Sequence, residues 1–359
     1  MRRESVSVID GRIELRSDTM TQPNARMREA MSGAAVGDDV CGEDPTINAL
    51  EEKAARVSGK EAALFVASGT MGNLVSLLAQ TRPGQEIIAE ENCHILSHEC
   101  GGYARLGGLT ASPVPSRRGV MDPAMVESRI REDDIHQPRT AVICIENTHN
   151  EAGGAVVPLG NLRELRALAD TRGLRIHMDG ARIFNAAAAL GVSVDKIAEF
   201  VDSVTFCLSK GLGAPVGAIV AGSASFIEEA RRVRKLVGGG MRQAGVLAAA
   251  GLIALDGVRD RLERDHRNAT RLAECVREIR GLRLDPDDVQ TNMVYVDVSA
   301  LGISASGFAQ ECASRLVNLL PVGPTRIRMV THQDVDDAEV PLAASIFADL
   351  AETIMASTR

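Results

Sequence analysis

The chain contains no tryptophan and only two tyrosines and seven phenylalanines among its 359 residues. Its core must therefore be aliphatic, and it has little aromatic surface on which single-stranded bases could stack. A basic excess is missing too: 40 Lys and Arg stand against 48 Asp and Glu, a formal net charge of -8. Phosphate backbones are bound chiefly through surplus Lys and Arg, so nucleic acid is not an expected partner. The seven cysteines (Cys41, Cys93, Cys100, Cys144, Cys207, Cys275 and Cys312) include no CxxC pair, which speaks against a structural zinc. They read as reduced thiols, and no metal-ligand set is expected. The opening MRRESVSVIDGRIELRSD lacks the apolar region of a secretory signal, and Glu4, Asp10 and Glu14 argue against a mitochondrial presequence. No apolar run approaches the length that spans a bilayer. A cytoplasmic protein without a membrane partner is the expectation.

What is present is ordinary for a globular chain, 45% hydrophobic and 25% charged, and the length suggests one large domain plus a smaller one. Short apolar runs alternate with helical patterns through the first two thirds, the signature of an α/β protein with a mainly parallel sheet. The expected strands are Ala62 to Ala67, Glu86 to Ala89, Ala141 to Ile145, Leu174 to Met178, Ser203 to Leu208 and Val216 to Ala221. Helices are expected at Pro45 to Ser58, capped by Asp44, and at Leu159 to Arg172, Ala224 to Leu236 and Met241 to Leu255. A charged periodic stretch from about Arg259 to Arg280 reads as a long helix leading to a small α+β domain. That domain would hold strands near Met293 to Val298 and Ile327 to Val330, a helix near Ser306 to Asn318, and a last helix from about Asp336. The expected division is residues 1–17 as an N-terminal segment, 18–258 as the large domain and 259–359 as the small one.

Ligands of such sheets sit beyond the carboxyl ends of the strands. That rule selects Ser68-Gly69-Thr70, Glu146-Asn147, Asp179 and Ser209-Lys210. Lys210 is followed by Gly211 and Gly213, so the backbone can pass close to a bulky ligand while the amine reaches it. Asp179 ends an earlier apolar strand. Pyridoxal 5'-phosphate (PLP) chemistry needs a carboxylate that keeps the pyridine nitrogen protonated and a lysine that bears the cofactor, and this pair supplies both. Gly69 and Thr70 open a helical pattern after a strand, where backbone N–H groups and hydroxyls can hold a phosphate. Each feature alone has a bland reading: a surface lysine, an Asp capping a helix, a lone SGT. Their order is what carries the argument.

Six segments then resemble the threonine aldolase family of PLP enzymes: Leu15 to Thr19, Gly37 to Thr46, Glu146 to Asn150, His177 to Ala186, Cys207 to Gly217 and Gly238 to Gln243. The likeness continues weakly through Thr291-Asn292-Met293 and Arg328 to His332. The resemblance implies an aspartate aminotransferase-like fold with a large domain around a mainly parallel seven-stranded sheet. It also implies a homotetramer, a dimer of dimers with shared active sites, and cleavage of β-hydroxy-α-amino acids to glycine and an aldehyde.

By that resemblance Lys210 bears the cofactor beside Ser209, Asp179 meets the pyridine nitrogen, and His94 stacks on the ring. Gly69 and Thr70 hold the phosphate with help from Lys235 and Arg242, and Arg182 lines the cofactor. Ser17, Arg182 and Arg328 bind the substrate carboxylate through geometry a guanidinium suits. His136 assists proton transfer from the β-hydroxyl. Other readings stay open for some of these: His94 and His136 as loop histidines, and Lys235 as part of the solvated helix face of Arg231, Arg232 and Arg234. Two residues depart from the family pattern. Cys41 stands where a Tyr is common, and His98 where relatives often carry an aromatic ring, near the expected place of the substrate side chain. A β-eliminating lyase on the same scaffold, or a PLP-binding protein without turnover, are the rivals. A dinucleotide-binding dehydrogenase is excluded by the lack of GxGxxG after the first strand.

Overall fold

The computed structural model describes residues 11–357; residues 1–10, with Glu4 and Asp10 of the opening segment, lie outside them. Seven strands form the main sheet: β1 (Ala62–Val66), β2 (Glu86–Glu90), β3 (Thr110–Val114), β4 (Thr140–Glu146), β5 (Arg175–Asp179), β6 (Ser203–Cys207) and β7 (Ala218–Gly222). Their order is β1-β7-β6-β5-β4-β2-β3. Only β7 runs antiparallel to its two neighbours; every other pairing is parallel. β2, β6 and β7 are buried at every residue, as strands covered on both faces must be.

β3 escapes sequence reading because TASPV carries little β signal and contains Pro113. It is an edge strand, bonded only to β2, and an edge is where a strand tolerates a residue without an N–H. Helix α1 (Pro45–Ser58) begins at its Asp44 cap with Pro at the first position and stops at Gly59, whose φ of 65° few other residues adopt. The later helices here are α2 (Gly69–Gln80), α3 (Leu159–Arg172), α4 (Ile183–Leu190), α5 (Ala224–Leu236) and α6 (Gly245–Ala254).

Helix α6 starts later than the expected Met241. Arg242 instead lends its carbonyl to the Asp39 N–H at 3.1 Å. Asp44, besides capping α1 through Oδ1, accepts from the Gly245 N–H through Oδ2 at 2.9 Å. One buried carboxylate thus caps two helices, a long-range constraint that local propensity cannot reveal.

The chain divides into two compact units, residues 23–259 and a second made of residues 11–22 with 260 onward. The N-terminal segment is therefore not separate. Ile13–Glu14 pairs in parallel with Val317–Asn318. The second unit contains the four-stranded sheet β8 (Arg283–Leu284), β9 (Met293–Asp297), β10 (Leu320–Pro321) and β11 (Arg326–Val330), in the order β8-β9-β11-β10. Helix α7 (Val258–Arg277) leads into it, followed by α8 (Ala305–Ser314) and α9 (Glu339–Ser357). Contrary to the sequence expectation, α9 is long and apolar enough to cross a membrane, with a mean hydropathy of 1.3 over its best window. Its Val340, Ala343, Phe347, Leu350 and Ala351 are buried in the core of this unit, so its apolar character has a packing cause. All seven cysteines are free thiols.

Asp265 on α7 is fully buried with both carboxylate oxygens lacking a hydrogen-bond partner, and the nearest cation is the Arg264 guanidinium at 3.8 Å. Burial pushes its pKa up to about 7; Arg264 and Arg261 oppose this, and Asp18 and Asp334 add to it. A carboxyl raised in the folded state stabilises fully below its ordinary pKa of about 4, and that contribution fades as pH rises toward 7. Asp265→Asn should remove this loss. The melting temperature of the variant relative to the parent should rise between pH 5 and pH 8, and a pH-independent difference would show that Asp265 does not titrate in this range.

Candidate active site

The carboxyl ends of β1, β5 and β6 lie side by side because β7 alone separates β1 from β6, and β6 borders β5. Helix α2 leaves β1 through Ser68, whose Oγ accepts from the Met71 N–H at 3.2 Å. The Gly69 and Thr70 N–H groups, at the first two helical positions, have no acceptor within the helix and are available to an anion. A Cβ at Gly69 would lie 2.8 Å from Cys207 Sγ, so only glycine lets this helix start against the end of β6. Three residues beyond Cys207 comes Lys210, half-buried, its carbonyl accepting from the Gly213 N–H at 2.8 Å in a tight turn.

Asp179, at the end of β5, is 3% exposed. Its Oδ1 accepts from the Ala181 N–H at 3.1 Å and its Oδ2 from Asn73 Nδ2 at 2.8 Å. Asn73, on α2, gives its other amide hydrogen to Glu99 Oε1, also at 2.8 Å. Its Oδ1 lies 3.1 Å from His177 Nε2, and His177 Nδ1 lies 3.0 Å from Ser203 Oγ. Complete burial lowers the His177 pKa to about 4, so the ring is neutral, donating from Nε2 to the amide oxygen.

His94 opens a short helix, His94–Ser97, whose main-chain N–H donates to Glu146 Oε2 at 2.6 Å. Its Nδ1 is 2.8 Å from Glu99 Oε1 and 4.0 Å from Asp179 Oδ2. Burial pulls the His94 pKa down, but the hydrogen bond to Glu99 and the charges of Asp179, Glu99 and Glu146 outweigh it, and the net shift is upward. The His98 ring centroid lies 5.5 Å from that of His94, tilted by 42°, and His98 Nε2 is 3.3 Å from Glu151 Oε1.

Of the residues expected from sequence, this unit brings His94 and Asp179 together and sets the Gly69 end of α2 against the strand that leads to Ser209 and Lys210. Arg182 is buried at the start of α4, three residues after Asp179. Others are not gathered here. His136 is on an exposed loop with its Nδ1 2.8 Å from Asp134 Oδ1, and among the described residues no hydrogen bond or ion pair joins it to the cluster. Lys235 is exposed beside a surface cavity of about 390 Å³ lined by Arg231, Arg232 and Arg234, and Arg242 pairs with Asp38 at 2.8 Å. Ser17 and Arg328 belong to the other unit, where Ser17 caps a short helix and Arg328 donates to the Arg16 carbonyl at 3.4 Å.

Sequence reading missed Glu99 and Asn73 as members of the site. Both sit in segments already singled out, five residues after His94 and four after Gly69, and a polar residue on the sheet-facing side of α2 was the available signal.

The model of the β-eliminating lyase family matches residues 14–299. A low-specificity L-threonine aldolase of Arabidopsis thaliana is 43% identical over 97% of this chain and 98% of its own length. The chain belongs to the threonine aldolases of the β-eliminating lyase family. The low specificity L-threonine aldolase of Escherichia coli K12 is 44% identical over 93% of this chain and 97% of its own. The fold agrees as well: the structure of Leishmania major threonine aldolase superposes with a TM-score of 0.82 at 19% identity, covering 94% of this chain and 99% of that one.

As a member of this family the protein is a PLP-dependent lyase with the aspartate aminotransferase-like fold. The residues fit the cofactor: a helix N-terminus for its phosphate, a buried carboxylate for its ring nitrogen, an imidazole beside that carboxylate, and a lysine at the end of the adjoining strand.

Proposed function

We propose that the protein cleaves L-threonine, L-allo-threonine or related β-hydroxy-α-amino acids, phenylserine among them, to glycine and the matching aldehyde. The observation that carries this reading is the placement of His94, Asp179 and the Gly69 helix start around the strand end that bears Lys210. When bound, the cofactor supplies an electron sink for the charge left as the Cα–Cβ bond breaks.

The protein's own groups do the rest. Lys210, with Ser209 beside it, would hold the cofactor through its ε-amine. Asp179 retains the ring proton, and Asn73 and the Ala181 N–H fix the carboxylate that does so. His94 covers the ring face. Gly69 and Thr70 bind the phosphate, with Lys235 and Arg242 as cationic helpers contributed within a homotetramer, a dimer of dimers. Ser17, Arg182 and Arg328 bind the substrate carboxylate, and His98 borders the substrate side chain. His136 takes up the β-hydroxyl proton; in this chain it sits on an exposed loop beside Asp134.

Purified protein offered L-threonine, L-allo-threonine and L-phenylserine should release glycine with acetaldehyde or benzaldehyde. Pyruvate and ammonia from a substrate with a good β-leaving group, without glycine from any of the three, would replace this reading with β-elimination.

A further inference from the structure

Glu99 is buried, yet it lies five residues from His94 in a segment that reads as a loop from sequence. Its Oε1 meets two groups at 2.8 Å: the Asn73 amide and His94 Nδ1. A carboxylate can only accept from the amide, and Asn73 has its second hydrogen committed to Asp179 Oδ2. Asn73 in turn is fixed by the neutral His177, so the acceptor seen by the His94 ring is held from three elements, α2, β5 and the segment after His94. His94, Glu99 and Asp179 lie close enough together to suggest a cation site. The Asn73 amide hydrogens directed at both carboxylates occupy that role instead.

We propose that Glu99 is the positioning residue of the site: by accepting from His94 Nδ1–H it sets the plane and tautomer of the imidazole that covers the cofactor, leaving Nε2 as the nitrogen available for proton transfer. This rests on the reading above that His94 covers the cofactor ring. The logic is that of a carboxylate orienting a working histidine: the partner of one ring nitrogen decides what the other can do. The charged and titratable groups facing His94 are Glu99, Asp179 at 4.0 Å, Glu146 through the His94 main-chain N–H, and the His98 ring. Glu99 is the one in direct contact with the ring. Burial raises its own pKa, the His94 hydrogen bond pulls it back, and the Asp179 charge raises it further, so the pair is one in which losing either partner changes the other.

The test is Glu99→Gln, which keeps the shape and removes the charge. In cofactor-loaded protein the His94 ring titration, followed by NMR and assigned by its loss in His94→Phe, should move down by about one unit or more. kcat for L-threonine should fall about tenfold, with KM changed less than about twofold, while the visible cofactor band is retained. In the His94→Phe background the same Glu99 substitution should have no further effect on kcat, because a residue acting through the ring has nothing left to act on. Should Glu99→Gln not accumulate as folded protein, Glu99→Ala carries the same test, since it removes both the charge and the acceptor of Nδ1–H. An unmoved His94 titration, or additive effects of the two substitutions, overturns the proposal. The titration needs no turnover, so it decides Glu99 even if the parent protein releases no glycine, a result that would strike only the proposed activity.

Discussion

Lys210→Ala protein will turn over L-threonine more than about a thousandfold more slowly than the parent, a barrier increase above about 4 kcal/mol. It will also lose the visible band of the covalently held cofactor. Only an ε-amine at this strand end can form and release that covalent link, and methyl substitution leaves nothing in its place. The proposed phosphate site belongs to a different element, the start of α2, so some cofactor should still associate and be removable by dialysis. The check is an absorbance spectrum before and after borohydride reduction, with peptide mapping of the reduced product. A reducible lysine link in the variant, with near-parental rates, would assign the role to another lysine.

Asp179→Asn comes next in size. The carboxylate accepts two hydrogen bonds, one on each oxygen, from Asn73 and from the Ala181 N–H. An amide must present hydrogens to one of those donors, which costs on the order of 1–3 kcal/mol of stability. The catalytic loss should be larger, because a neutral amide cannot retain the proton on a pyridine ring. kcat/KM should fall about a hundredfold or more, close to 3 kcal/mol, while the variant still melts cooperatively. Parental activity in a folded Asp179→Asn protein would remove Asp179 from the site.

Strand ends were the most legible part of this chain. Asp179 and Ser209-Lys210 follow apolar runs buried on both faces, and such runs announce themselves without any knowledge of tertiary structure. α1 was equally plain, because Asp44 and Pro45 mark its start, and α3 and α5 fall where their helical patterns were read. β3 was not, since its Pro113 is acceptable only at an edge, and edge position is a property of the finished sheet. Glu99 and Asn73 were hidden for a related reason. Asn73 reads as a polar residue in an amphipathic helix until β5 is placed beneath it, and Glu99 reads as solvent-exposed until its carboxylate is found bonded to His94 Nδ1. The resemblance to a family supplied His94, but no local pattern distinguishes a ring that covers a cofactor from one in a loop.

The pairing of Ile13–Glu14 with Val317–Asn318 has a bearing on how the chain is made. Contacts between neighbouring segments form early, and pairing of distant ones waits on loop closure. The β6–β7 connection that carries Lys210 joins strands ten residues apart, and all seven strands of the main sheet lie within residues 23–259. The second unit, by contrast, takes a strand from each end of the chain, so its N-terminal strand stays unpartnered on the ribosome until residues 317–318 emerge. During vectorial synthesis the lysine-bearing sheet is therefore assembled before the other unit can be completed, and a chain released short of Val317 would leave Ile13 and Leu15, both buried in the finished protein, as an exposed sticky end.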